Sequence, residues 1–528
     1  MAPPTRRDKV VRYDWHPEPE LIDFREEARA RAALEKLGVA AWTTALDYLY
    51  KEAMRRPVGP ESYPEMRRRF FSRAKPASDT PRPAPAPVHP SASSEILEEF
   101  RARLAPYQYN AAHPRSFSYF TPPALPMSIV GELLAQWANQ GVDVWHAGPA
   151  AAFVEEEVVA WLRDLVGYGE GSWGVLTSGG VMANVMAMTV ARDVHLARLL
   201  GMSHPPRGAA MEKARVYASD QAHFSIARAL AVLGFPSEAL HVVPADESFR
   251  LRGPATAEAI AADRAAGLVP FAIAAVAGST NTGSVDLVGE LAEIAQRERL
   301  WLHVDAAYGG AALLSRRDAP RVADLERADS ITIDPHKWFF QSYDIGGLLV
   351  KRRADLLDTF RLAPEYYRST RPEDQPLHWY QYSLEGTRRF RALKLWLSWK
   401  HLGSEGFGRL VEANDDLAAY LARRCRESDD FEALPEEPEL SVVCFRHLPG
   451  GRRLAADLDP ERIDRYQDRL QRALEVSGEG WLSTTKLRGR TYLRAGIVNY
   501  LSTEEDVDRV LSALRSLSPQ AWTGAERG

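Results

Sequence analysis

The sequence predicts an α/β protein: a mostly parallel sheet wrapped by helices, preceded by a helical arm and closed by a smaller α+β domain. Three observations carry this. Between about residues 126 and 395, helical stretches alternate with short β-branched apolar runs at 271–277, 302–306, 330–333 and 347–350, as strands feeding crossover helices do. Earlier, within 17–73, Leu34, Leu37, Ala41 and Ala45 recur at three- and four-residue spacing among charges, a helical pattern. Later, beyond a helix suggested by 390–401, a long helix, a strand near 440–445, a helix from Pro460 and strands near Trp481 and Tyr492 describe a mixed domain.

The Pro-, Ala- and Ser-rich segment at 76–94 should run extended across a surface as a strap. The expected organisation is an N-terminal helical arm and dimer-wrapping segment at 1–125, a large α/β domain at 126–395 and a small α+β domain at 396–528. No internal repeat is present.

With 528 residues, 45% of them hydrophobic, the chain can bury a substantial core. Lys and Arg total 66 against 71 Asp and Glu, and a formal charge of -5 gives no broad attraction to nucleic acid or an anionic membrane. A small molecule is the expected partner. Cys425 and Cys444 lack metal or redox spacing, so neither a disulfide framework nor a metal site is expected. Residues 1–15 are basic and polar without an apolar core, and no uncharged run reaches membrane-spanning length. A cytoplasmic location follows as the expectation.

Four motifs carry chemistry. Ser330-Ile-Thr-Ile-Asp-Pro-His-Lys-Trp338 is a buried strand that runs into Pro335 and ends in His336 and Lys337. Burying an ammonium is costly, so this lysine either snorkels or is chemically engaged, as an imine-forming lysine is. Trp301-Leu-His-Val-Asp-Ala-Ala-Tyr308 repeats the design with Asp305 at a strand's carboxyl end, where open α/β sheets hold ligands and where an Asp also caps helices. Val175-Leu-Thr-Ser-Gly-Gly-Val-Met-Ala-Asn184 leads through a glycine turn into a helix, an arrangement that either binds a phosphate or simply caps. Ser219-Asp-Gln-Ala-His-Phe-Ser225 sets His223 before a helix, able to lie over a bound ring or to remain a surface residue. The glycines at 167–174 superficially suggest a dinucleotide loop, but no strand precedes them and a strand follows.

In order and spacing these elements resemble the group II pyridoxal 5′-phosphate (PLP)-dependent amino-acid decarboxylases, a fold type I (aspartate aminotransferase-like) family that includes aromatic-L-amino-acid, glutamate and diaminobutyrate decarboxylases. The resemblance runs from about residue 107 to the end and extends to His113-Pro-Arg-Ser-Phe-Ser-Tyr-Phe120, Asn139-Gln140, Trp145, Gly148-Pro-Ala150, Gly278-Ser-Thr-Asn-Thr-Gly-Ser284 and Leu482-Ser-Thr-Thr485.

The resemblance implies that Lys337 is the Schiff-base lysine, that Asp305 partners the pyridinium nitrogen, and that His223 stacks on the ring with Ala307 against it. It further implies phosphate contacts at Gly180, Val181, His336 and Ser330, a hydroxyl contact at Thr280 or Ser279, and substrate contacts at Phe120, Thr121 and His223. Phe360-Arg-Leu-Ala-Pro-Glu-Tyr-Tyr367 resembles the family's catalytic loop, and a gap-free count puts Tyr366, with Tyr367 competing, on the tyrosine that reprotonates Cα. The implied reaction is decarboxylation of an L-amino acid to the amine and CO2. Trp338, Leu302-His303 and the Tyr366 loop favour an aromatic substrate; glutamate, a diamino acid such as diaminobutyrate, and decarboxylating oxidative deamination are the alternatives. A homodimer with shared active sites is implied as well. Val181 departs from the family's usual Ser or Thr. Ala112, Gly141 and Asp143 depart from the bulky apolar residues of the aromatic branch, and Asp143 could bind a cationic side chain.

Overall fold

The computed structural model describes residues 26–59, 61–71, 86–362 and 376–525. The chain divides into two compact units between Asn110 and Ala111. The first contains helices α1 (Glu27–Asp47), α2 (Tyr63–Phe71) and α3 (Ser93–Glu99); Tyr48, just past α1, donates to Asn110 Oδ1 at 2.6 Å, and Arg101, just past α3, donates to Thr44 Oγ1 of α1 at 2.6 Å. Residues 76–85 of the expected strap lie outside the described residues.

The second unit is built on a seven-stranded sheet of β1 (Trp173–Thr177), β2 (Ala214–Ser219), β3 (Leu240–Val243), β4 (Val269–Val276), β5 (Trp301–Asp305), β6 (Ser330–Ile333) and β7 (Gly346–Val350), in the order β1-β7-β6-β5-β4-β2-β3. The pairs β6/β5, β5/β4, β4/β2 and β2/β3 are parallel, and β7 alone runs against its neighbours β1 and β6. Helices cover both faces, so the strands are apolar almost throughout rather than alternating; β1, β5, β6 and β7 are buried at every position. The four strands expected from the sequence are all in this sheet, and β1, β2 and β3 complete it.

The common direction of the strands has a decisive consequence. The Thr177, Ser219, Asp305 and Ile333 ends, and with them all four chemistry-bearing turns, open on one edge of the sheet.

Two helical segments merge across Gly403, whose φ of 64° breaks the run from Ala392 to Glu427 and leads to a four-stranded antiparallel sheet. That sheet has the order β10 (Ser483–Leu487), β11 (Arg490–Gly496), β9 (Val442–His447), β8 (Phe431–Ala433), with helices Pro460–Ser477 and Glu504–Ala525 packed beside it. Strand β8 and the last helix had no counterpart in the sequence reading. Among the described residues no helix is long and apolar enough to cross a membrane.

Candidate active site

Lys337 is positioned by what surrounds it in sequence. Strand β6 delivers the chain to Asp334, whose carbonyl accepts the Lys337 N–H at 2.9 Å in a turn. The next residue, Trp338, is fully buried, donates from its indole N–H to Asn414 Oδ1 at 3.0 Å and stacks on Tyr308 at 4.9 Å. A buried, hydrogen-bonded indole of this size anchors the backbone and leaves the lysine side chain little choice of direction. The ammonium lies 3.2 Å from Asp334 Oδ2. Burial by itself would pull its pKa down, but the Asp334 and Asp305 carboxylates outweigh this and hold it above the ordinary lysine value.

A cavity of about 430 Å³ opens at this edge of the sheet, lined by Gly180, Val181, His223, Asp305, Ala307, His336 and Lys337, together with residues for which the sequence suggested no role. Seven of the expected site residues therefore meet in one place, although they come from segments up to 157 positions apart, Gly180 to Lys337.

The cavity wall near Gly180 is a cradle that side chains would fill. Gly179 has φ 148°, open to glycine and strained for other residues, and a Cβ there would meet the His336 ring at 3.1 Å. A Cβ on Gly346 would stand 2.5 Å from Gly179 Cα. Helix Gly180–Val190 starts here, so free N–H groups and the positive end of the helix dipole face the cavity. Beside Gly180, where an added Cβ would meet the Ala307 Cβ at 3.4 Å, the small Ala307 keeps the wall flat, and its N–H donates to Asp305 Oδ1 at 3.1 Å.

Asp305 is set by a directed hydrogen-bond line. Trp301 Nε1 donates to Ser330 Oγ at 2.9 Å, and Ser330 Oγ lies 2.9 Å from His303 Nδ1. His303 Nε2 lies 3.0 Å from Asn184 Oδ1, which also accepts from Thr332 Oγ1 at 2.6 Å. The amide nitrogen of Asn184 then donates to both Asp305 Oδ2 and Ser225 Oγ at 2.7 Å. Because Oδ1 can only accept, His303 carries its proton on Nε2, and every polar atom in the line has a partner. Burial pushes the His303 imidazole down to about 4, which keeps it neutral.

The same amide reaches His223. Ser225 Oγ is 2.8 Å from His223 Nδ1, and the Ser225 backbone N–H also donates to that nitrogen at 3.3 Å. Nδ1 thus accepts, the proton sits on Nε2, and burial holds the ring below the ordinary histidine value.

Other expected residues lie elsewhere. Ser330 stands at the start of β6, at the opposite end of the strand from Asp334, with its hydroxyl spent on Trp301 and His303, so it does not line the cavity. Thr280 is exposed and offers its carbonyl to Arg494 Nε at 2.7 Å, while Ser279 is buried on Thr282. Phe120 is buried, stacked on Tyr308 at 4.0 Å under Arg494. Thr121 approaches the cavity through Tyr343, their hydroxyls 2.9 Å apart. Tyr366 and Tyr367 lie outside the described residues.

Asn184, Ser225, Asp334 and Tyr343 are among the site residues the sequence reading missed, as are the cavity-lining Met182 and Phe224. Asn184 had a visible signal: it is a polar residue, 1% exposed, inside the otherwise apolar helical run Val-Met-Ala-Asn-Val-Met-Ala-Met.

This geometry fits PLP. A lysine amine, an anion cradle at a helix start, a flat alanine wall, a histidine beside it and a fixed carboxylate surround one cavity, and Asp334 Oδ1 is buried there without a hydrogen-bond partner. Comparison with known proteins agrees. Residues 76–448 match the model of the pyridoxal-dependent decarboxylase conserved domain. The chain is 32% identical to the aromatic-L-amino-acid decarboxylase of Bacillus atrophaeus over 82% of its length and 87% of that protein's. It is 31% identical to the L-2,4-diaminobutyrate decarboxylase of Acinetobacter baumannii over 76% of this chain and 79% of that one. Among solved structures, Oryza sativa TDC with PLP and tryptamine superposes with a TM-score of 0.83 at 27% identity, covering 92% of this chain and 98% of that one.

Proposed function

Because the chain belongs to the pyridoxal-dependent decarboxylase family, and is a PLP-dependent amino-acid decarboxylase, we propose that it converts an aromatic L-amino acid to its amine and CO2 at the Lys337 cavity. When bound, PLP supplies the electron sink that lets the bond between Cα and the carboxylate break. The chain supplies everything else. Lys337 would hold the cofactor covalently between turnovers. Asp305, fixed by Asn184 and the Ala307 N–H, would hold a proton on the pyridine nitrogen. His223 and Ala307, which line the same cavity, would hold the ring, and the amides at Gly180 and Val181 with His336 would hold the phosphate. Tyr366 returns a proton to Cα.

The observation that carries the aromatic reading is the character of the outer wall. Phe224 and Tyr343 line the cavity as exposed rings beside Met182 and Val181. Of the two carboxylates lining it among the described residues, Asp305 is bonded to Asn184, and Asp334 faces Lys337 through Oδ2 with Oδ1 unpartnered. Asp143 does not line it. The exposed Phe224 and Tyr343 rings favour a flat apolar side chain. A panel of aromatic, acidic and dibasic L-amino acids, with CO2 and products followed by mass spectrometry, tests this. Amine from the aromatic members is expected; amine from diaminobutyrate or glutamate alone would move the substrate to that class, and aldehyde with peroxide would make the chain an oxidative deaminase.

A homodimer with shared sites and a cytoplasmic location complete the proposal. Helix α4 (Pro126–Ala138) supports the first, since Ile129, Leu133 and Trp137, at i, i+4 and i+8, stand 46%, 53% and 55% exposed. The free, buried thiols of Cys425 and Cys444 accord with the second.

A further inference from the structure

A second cavity, of about 410 Å³, lies at the edge of the sheet opposite Lys337, where β5 and β6 begin and β7 ends. Its floor is buried and apolar, with Leu300, Trp301 and Leu302 at 5%, 1% and 1% exposure. Its wall is cationic. Arg198, Arg299, Arg327, Lys351 and Arg352 line it against a single carboxylate, Asp329, in a chain whose formal charge is -5.

The charge is only partly offset internally, by Asp329 and by Asp324 and Asp355 outside the lining. Asp329 spends Oδ2 on the Leu302 N–H at 2.9 Å, and burial pushes its carboxyl above the ordinary range, which weakens it as a counter-charge. Arg352 pairs with Asp355 at 3.0 Å, and Arg327 stands 4.0 Å from Asp324. Glu298, next to Arg299, is taken by Arg264 and Arg297. Among the described residues no carboxylate forms an ion pair with Arg198, Arg299 or Lys351. His195 donates to the Arg299 carbonyl at 3.0 Å and is held below the ordinary histidine value by burial, so its single N–H is spent and it brings the pocket neither charge nor a free donor.

Cations on four separate segments are thereby brought around one concavity and left to repel one another, a cost that a bound anion removes. Arginine forks recognise phosphate and carboxylate oxygens bidentately, and the cavity is of small-ligand size. We propose that this pocket binds a compact, multiply charged phosphate-bearing anion, at a site separate from the PLP phosphate cradle. Trp301 in its floor is also the first member of the hydrogen-bond line that ends on Asp305, so bound charge would sit at the far end of that line.

The test uses holoenzyme whose cofactor has been fixed by borohydride, so that the cradle near Gly180 is filled. Calorimetric titration with inorganic pyrophosphate at low ionic strength should show one saturable site per chain. The double variant Arg299→Ala with Lys351→Ala should weaken it at least tenfold, with melting temperature and cofactor content unchanged. Removing two exposed cations that do not line the pocket, Arg409→Ala with Arg453→Ala, should leave it intact. A parallel titration with a nucleoside diphosphate distinguishes the source: tighter binding than pyrophosphate assigns an organic phosphate, equal binding an inorganic one. Absence of a saturable site for either probe, equal affinity in the pocket variant, or equal weakening in the control pair would overturn the proposal.

Discussion

Asn184 and Asp305 are joined by a 2.7 Å bond from the Asn184 amide to Asp305 Oδ2, and the opposite end of the same amide accepts from His303 and Thr332. No other amide orientation satisfies all these partners. A bond to a charged acceptor contributes about 1.5–3 kcal/mol, equivalent to about ten- to a hundredfold in an equilibrium or rate constant. Asn184→Leu should therefore lower kcat by about that factor and shift the pH at which the bound cofactor's absorbance changes. Asn184→Asp, which sets a second carboxylate against the first, should be worse. An unchanged absorbance titration in the Leu variant would show that Asp305 does not depend on this amide.

Gly346→Ala should damage the phosphate cradle. The added Cβ would stand 2.5 Å from Gly179 Cα and 2.6 Å from Asp334 Oδ1, and neither neighbour can yield cheaply. A cost of about 1–3 kcal/mol is expected, with PLP affinity reduced more than tenfold. Gly347→Ala is the control, because the nearest atoms there lie at an ordinary 3.7 Å. Fluorescence titration of PLP into both variants checks this; equal affinities would argue against the cradle.

Acid should weaken the fold partly through His303. Its folded-state pKa of about 4 lies below the unfolded value of about 6.5. The unfolded chain therefore takes up the proton first, and the histidine's contribution is complete above about pH 6.5 and lost as the pH falls toward about 4, at up to about 1.4 kcal/mol per pH unit. In His303→Gln the decline in melting temperature between pH 6.5 and 5 should be shallower, though not absent, since His113 and His447 are also pushed down to about 4. Parallel curves would show that His303 plays no part.

The apolar stripe on α4 should be covered by a second copy of the chain. Leu133→Asp with Trp137→Ser is expected to halve the mass seen by light scattering and to reduce activity with it. A monomeric wild-type protein with full activity would remove both the dimer and its shared sites.

Tyr366→Phe should keep PLP bound while amine formation falls by at least tenfold, because the proton for Cα then lacks its donor. Undiminished amine yield would pass the role to another group, Tyr367 first.

The large-domain strands were legible because parallel strands buried on both faces leave unbroken apolar runs, and the site was legible because each strand expected to bear ligands ends in a distinctive turn. Lys337, Asp305 and His223 converge for that reason. Asn184 was harder to read, since its meaning lies in partners at 225, 303, 305 and 332 that only the folded sheet assembles. Ser330 shows the opposite failure. At about 3.3 Å per residue, its four-residue strand carries it roughly 10 Å from the end that faces the cavity, a separation that proximity to Lys337 in sequence conceals.

Reduction of the holoenzyme with borohydride, followed by peptide mass spectrometry, asks most directly whether the Lys337 cavity is where the chemistry occurs. The expected result is a single phosphopyridoxyl group on the peptide containing Lys337, absent from Lys337→Ala. Label on a different lysine, for example Lys351 in the cationic pocket, with Lys337 unmodified, would contradict it.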